Sequence, residues 1–408
     1  MPIKIYLKTI IVIGLVFLFF YPLIQKYNLI NNRIYQTCQF VKSHIIPVKT
    51  NLNEWLMNCR VQSRSYGFRS DNIKIQLEKG NQILSELKVS HLELFDQQES
   101  QAIWEDTDLE NGIESKFIDG ELIITRIHPN SEAFGKGLLK GDRVVLGKDD
   151  SLSPYELNKW KGNLEIERRK VVKSIELRPK TLNIQRDVSL TEVNGFKVIS
   201  LESFKSQYFS SEKLNSIFSK VKATDKVVID LRGNNGGNFV AGLRFLSAFF
   251  CKPTLVGYMK KEHAVGRTGY FEDNLNDEYQ IEVLNRYNSI GLKTFESKLC
   301  LPKPKLVLID ANSKSTAEWV ALAFSELQSI PVRGAASAGE LLVGIWYDIS
   351  SIWGTVVKLS IPEAYYESIQ GKQIEGHGVS VESNIYPRRA DYEQGRDSEV
   401  WQAVQNQN

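Results

Sequence analysis

Ser315 opens the run Ser315-Thr316-Ala317-Glu318 and stands between two patterned stretches. Before it, the apolar run 306–309 reads as a buried strand; after it, Trp319, Leu322, Ala323 and Leu327 recur at helical spacing. The serine therefore falls where a strand turns into a helix. A hydroxyl held there can serve as a nucleophile, because the free N–H groups of a first helical turn can receive a developing oxyanion. The same residues also form a capping box, Ser315-x-x-Glu318, which requires no chemistry. A second turn, Arg232-Gly233-Asn234-Asn235-Gly236-Gly237, follows the apolar run 226–231 and precedes a helical pattern over 239–250. It lacks the Lys-Ser/Thr of a phosphate loop and the Gly-x-Gly-x-x-Gly spacing. Paired glycines would let backbone N–H groups approach a substrate closely and form an oxyanion hole; a purely structural tight turn is the alternative.

A serine nucleophile needs a base, and the chain has five histidines. His91 begins an alternating run with Leu92 and Leu94 that reads as a strand start, where it is either a general base or a surface residue. His377 lies two residues from Glu375, His263 in a polar loop, His128 in a His-Pro turn and His44 far upstream. Nothing has the spacing of a metal site, and no cofactor is implied.

The elements that must position these groups fall into a recognisable order. Residues 73–87 are helix-like. Residues 113–180 read as a β-rich module: a strand over 121–127, a short helical start at Ser131–Phe134, a turn into a strand over 137–146, and a hairpin-like pair over 164–168 and 171–177. This order, with the phrase Gly137-Leu138-x-x-Gly141-Asp142-Arg143-Val144, resembles a PDZ domain. Such domains bind extended peptide C-termini by strand addition. Residues 181–392 read as an α/β domain, with strands over 195–201, 226–231 and 306–309 and helices over 210–221 and 239–250.

Length allows two or three domains, and a net charge of +3 gives no reason to expect nucleic acid as a partner. Lys4 and Lys8 precede an uncharged apolar run over 9–25. With no Ala-x-Ala-like site after it, the run is expected to be an uncleaved signal anchor, with residues from about 27 onward outside the cytoplasm; secretion after cleavage is the alternative. Cys38, Cys59, Cys251 and Cys300 suit that address, and two local disulfides are the simplest of three pairings.

Asp230-Leu231-Arg232-Gly233-Asn234-Asn235-Gly236-Gly237, Ser315-Thr316-Ala317-Glu318 and Gln373-Ile374-Glu375-Gly376-His377-Gly378-Val379 together resemble the C-terminal processing (tail-specific) serine peptidases and their tricorn-type relatives. The resemblance implies a crotonase-like α/β core (ClpP/crotonase type) with a preceding or inserted PDZ domain and an N-terminal membrane segment. The boundaries it implies are an anchor at 1–27, a helical lead-in at 28–112, the PDZ domain at 113–180, the peptidase core at 181–392 and a polar tail at 393–408. There is one departure. In the processing branch a lysine base lies about 25 residues beyond the serine, and Glu340 stands there instead. The tricorn-like branch uses serine, histidine and glutamate. By that resemblance Ser315 is the nucleophile, His91 the base (His377 the alternative) and Glu375 the group that orients the imidazolium, with N–H groups of Thr316 and of Gly236 or Gly237 as the oxyanion hole. The expected function is cleavage of protein or peptide substrates through an acyl-enzyme. A non-catalytic scaffold and an esterase or amidase remain as rivals.

Overall fold

The structure is a computed structural model that describes residues 32–66, 72–147, 151–261 and 267–405. The expected anchor and His263 lie outside them. Among the described residues no helix is long and apolar enough to cross a membrane. The chain divides into two compact units, residues 1–98 with 343–364, and residues 99–342 with 365–408.

The first unit begins with three helices, Arg33–His44, Leu52–Tyr66 and Ile73–Leu84. Each of the first and third starts on an asparagine: Asn32 Oδ1 accepts from Tyr35 N, and Asn72 Oδ1 from Lys74 N and Ile75 N. Their apolar faces pack with strand Glu93–Asp96 and with the chain over 349–361 around Trp55, Leu94, Trp353 and Leu359. Cys38 is joined to Cys59 within this core. Strand Glu93–Asp96 pairs antiparallel with Val357–Ser360, the first part of the long strand Val357–Ser368.

The second unit is built on a six-stranded sheet in the order Ser383–Asn384, Val332–Gly334, Leu306–Ile309, Lys226–Asp230, Phe196–Ser200 and Ser189–Val193. In that order the first four pairings are parallel and the last is antiparallel. Parallel strands are buried on both faces and so read as continuous apolar runs rather than alternating ones. Val227, Val228, Ile229 and Leu306 to Ile309 are accordingly completely buried. Helices Phe239–Phe250 and Thr316–Gln328 follow the two central strands, and Phe245, Phe249 and Phe324 meet edge to face between them. A separate five-stranded antiparallel sheet covers 113–177 and ends in the hairpin Gly162–Arg168 with Val171–Leu177. Cys251, the left-handed cap of helix Phe239–Phe250, is joined to Cys300.

Candidate active site

Strands Lys226–Asp230 and Leu306–Ile309 are parallel neighbours, with Asp230 opposite Leu308, so the turns at their carboxyl ends lie side by side. One is the glycine-rich turn and the other leads to Ser315. Clefts beyond the carboxyl ends of parallel strands are where α/β sheets place their ligands. An ideal Cβ on Gly236 would lie 2.7 Å from the Cβ of Ser315 and 3.0 Å from the Thr316 nitrogen. Gly236 therefore lets one turn press against the other, and its φ of 83° adds a second reason for glycine.

Ser315 has φ 53° and ψ −118°, a sparsely populated conformation for a residue with a side chain, and helix Thr316–Gln328 starts at the next residue. Such a backbone costs on the order of 1–3 kcal/mol and persists only where its surroundings hold it. Here the Ser315 N–H is held from two sides, by Glu318 Oε2 at 3.0 Å and by the carbonyl of Glu340 at 3.1 Å. The serine is 93% buried, since only 7% of its surface is accessible. A strained serine on a sharp strand-to-helix turn is also how α/β-hydrolases expose a nucleophile.

The three residues expected to supply oxyanion donors differ in what their N–H groups do. The Gly236 N–H donates to Asn234 Oδ1 at 2.8 Å, so it is engaged within its own turn. Gly237 and Thr316 are the remaining donors, and among the described residues nothing accepts from either N–H. Thr316 Oγ1 donates to the Gly237 carbonyl at 2.8 Å, which ties the two donor-bearing segments together. Asn234 braces both: its Nδ2 donates to the Leu201 carbonyl and its own carbonyl accepts from Lys314 N.

Glu375 is half-buried, and its Oε2 accepts from Leu341 N at 2.8 Å. His377, on the same turn, is exposed. His91 belongs to the first unit, where it has φ 59°, lies two residues before strand Glu93–Asp96, and places Nδ1 3.0 Å from Ser90 Oγ. Gly344 gives it room, because a Cβ there would lie 2.9 Å from that of His91. The other described histidines are occupied: His128 is buried 2.7 Å from Glu114 Oε1, and His44 stacks on Phe40 with Nδ1 at the Phe40 carbonyl.

Glu340, where the processing branch would carry lysine, turns its carboxylate to Lys314 Nζ at 2.8 and 3.0 Å. That pair turns Lys314 toward Glu340. Lys358 is paired with Asp348 at 2.9 Å. Arg232 makes a two-pronged pair with Asp230 and reaches Asp397, in keeping with a structural role.

Two residues of this site escaped the sequence reading. Glu318, visible there only as half of a capping box, is completely buried, and its carboxylate takes four hydrogen bonds. Burial pushes its carboxyl up from the ordinary glutamate range, against those donors. Ser337, one of the bonded partners, sits in a run of small residues with no spacing signal.

These features define a serine-centred turn on a mixed α/β sheet. Residues 196–385 match the model described as Peptidase family S41. It is 24% identical over 273 residues to "Carboxy-terminal processing protease CtpA" of Bacillus subtilis (strain 168), covering 64% of this chain and 52% of that protein. The chain thus spans about half the length of the curated relative it matches. Among solved structures, mature CPAF complexed with lactacystin superposes with a TM-score of 0.60 at 12% identity, covering 93% of this chain and 98% of that one. The tricorn protease gives 0.51 at 11% identity, covering 93% of this chain and 36% of that one. Likeness at this identity establishes a shared fold.

Proposed function

We propose that the protein is a serine peptidase that cleaves protein or peptide substrates through an acyl-enzyme, with Ser315 as nucleophile, His91 as general base and then acid, and Glu375 orienting the imidazolium. The observation that carries the reading is the strained Ser315 backbone, held at the mouth of two parallel strands beside two unengaged N–H donors. Attack by Oγ on a carbonyl carbon would place the oxyanion at the Thr316 and Gly237 N–H groups, each donor worth about 3 kcal/mol of barrier. The match of residues 196–385 to the model of peptidase family S41 supports peptide bonds over esters. Glu340 in place of a lysine supports a histidine base.

In the same reading the core is crotonase-like, and the five-stranded sheet over 113–177 is a PDZ domain that binds substrate C-termini or gates the cleft. The boundaries given above for lead-in, PDZ domain, core and tail are part of this proposal, as is an anchor within residues 1–27 that keeps the catalytic part outside the cytoplasm. Two disulfides support that address, because such bonds persist in oxidising compartments.

The test is labelling by a fluorophosphonate probe of the protein and of its Ser315→Ala, His91→Ala and His377→Ala variants. Labelling should vanish with Ser315→Ala and His91→Ala and survive His377→Ala. A folded parent that stays unlabelled would turn the reading to a binding scaffold. The labelling rate should rise with pH as histidine gives up its proton, because the neutral imidazole is the base. A flat profile from about pH 5 to 8 would remove His91 from the role.

A further inference from the structure

Glu318 lies on the buried side of helix Thr316–Gln328, one turn beyond the nucleophile, and no step of the acyl transfer uses it. Its Oε2 accepts from Ser315 N at 3.0 Å and from Glu340 N at 3.0 Å. Its Oε1 accepts from Gly339 N at 2.7 Å and from Ser337 Oγ at 2.6 Å. A completely buried carboxylate is costly unless its lone pairs are filled, and here donors from two separate segments, the Ser315 turn and the loop 337–340, fill them.

The bonded segments lead to Glu375. Ser337 Oγ, while donating to Glu318, accepts from Val379 N at 2.6 Å, and the Ser337 N–H donates to the Val379 carbonyl. The Gly339 carbonyl accepts from Gly376 N at 2.8 Å, and Leu341 N donates to Glu375 Oε2. Glycines permit the contact: a Cβ on Gly339 would meet Gly378 N at 2.7 Å, and one on Gly378 would meet the Ser337 carbonyl at 2.3 Å. The loop 337–341 is thus fastened to Ser315 through Glu318 on one side and to the 374–379 turn on the other.

We propose that Glu318, with Ser337, is a positioning residue that fixes the strained Ser315 turn and the Glu375-bearing turn in one hydrogen-bonded body. The inference rests on the serine-peptidase reading above. A glutamine at this position has one acceptor oxygen instead of two and brings an NH2 group to face an N–H, so Glu318→Gln breaks the bracket on one side. Ser337→Ala removes one donor to Glu318 and the acceptor for Val379 N. Misplacing a nucleophile by about 1 Å costs on the order of a hundredfold in rate.

The test separates bond formation from probe binding in fluorophosphonate inactivation, alongside thermal unfolding of each protein. In Glu318→Gln the inactivation rate constant should fall about a hundredfold while the probe's apparent binding constant stays within about twofold. In Ser337→Ala the rate constant should fall about tenfold. A cooperatively folded Glu318→Gln protein that inactivates at the parental rate overturns the proposal. If that variant does not fold, Ser337→Ala decides: an unchanged rate constant overturns it and a selective fall supports it. A parent that is not labelled refutes the peptidase reading itself, a result distinct from either.

Discussion

At the residue scale, the site depends on what is absent from Gly236 as much as on what is present in Ser315. Gly236→Ala would insert a methyl group 2.7 Å from the Ser315 Cβ and 3.0 Å from Thr316 N, where both neighbours are backbone-fixed. A φ of 83° adds strain for alanine. The expected outcome is loss of probe labelling by at least about a hundredfold, with a stability loss of about 1 kcal/mol or more. Labelling kinetics and a thermal melt check it; labelling at the parental rate would show that the two turns are free to separate. The sequence made this glycine visible as part of a turn and left open which of two glycines supplies an N–H. Only the three-dimensional path of Asn234, whose Oδ1 takes the Gly236 N–H, distinguishes them. Ser315 and the engagement of Glu318 with its N–H were legible because strand, turn and helix are local in sequence. The Glu318 contacts to 337–340 were not, since they join residues about twenty apart through a loop without periodicity.

At the scale of elements, apolar runs and helical spacing located most of the second unit's strands and helices, including the helix over 239–250, because burial on both faces of a parallel sheet leaves a strong pattern. Charged side chains that fasten those elements to one another left no pattern. Arg232, at the end of strand Lys226–Asp230, pairs with Asp230 at 2.7 Å, with Asp397 at 2.9 Å and with Glu399 at 3.3 Å. Lys116, from strand Ile113–Ile118, reaches Glu399 at 2.5 Å and Asp310 at 3.6 Å. Removing the central cation strands carboxylates in a poorly solvated place, so Arg232→Ala should cost about 3–5 kcal/mol in a urea or thermal unfolding measurement. The same cluster sets a pH dependence. Burial alone would raise the Glu399 carboxyl, yet Arg232 and Lys116 bring it below the ordinary glutamate range. A carboxyl lowered in the folded state contributes stability above its unfolded value of about 4.3, and that contribution is lost as pH falls toward the lower folded value. The stability difference between the protein and Glu399→Gln should therefore be constant above about pH 5 and shrink below about pH 4. A difference independent of pH down to acid unfolding would mean that the carboxylate is not held by its cations.

At the scale of the whole molecule, two compact units each carry one disulfide, and each bond closes a loop within its own unit. Cys38 and Cys59 are 21 residues apart and join the first two helices of one unit. Cys251 and Cys300 are 49 apart and join the cap of helix Phe239–Phe250 to the chain that enters strand Leu306–Ile309. On the chain-entropy account these loops are worth about 3 and about 4 kcal/mol, by restricting the unfolded chain. Chains with more than one compact unit need not unfold in a single step, so the two contributions should be separable. Cys38→Ser with Cys59→Ser should lower the temperature at which His91's surroundings lose hydrogen-exchange protection and leave the Ser315 turn protected. Cys251→Ser with Cys300→Ser should do the converse, since the second bond anchors the helix that packs on Thr316–Gln328. If either pair of substitutions lowers both transitions equally, the units unfold as one cooperative body, and stability at Ser315 then depends on the other unit's disulfide as much as on its own.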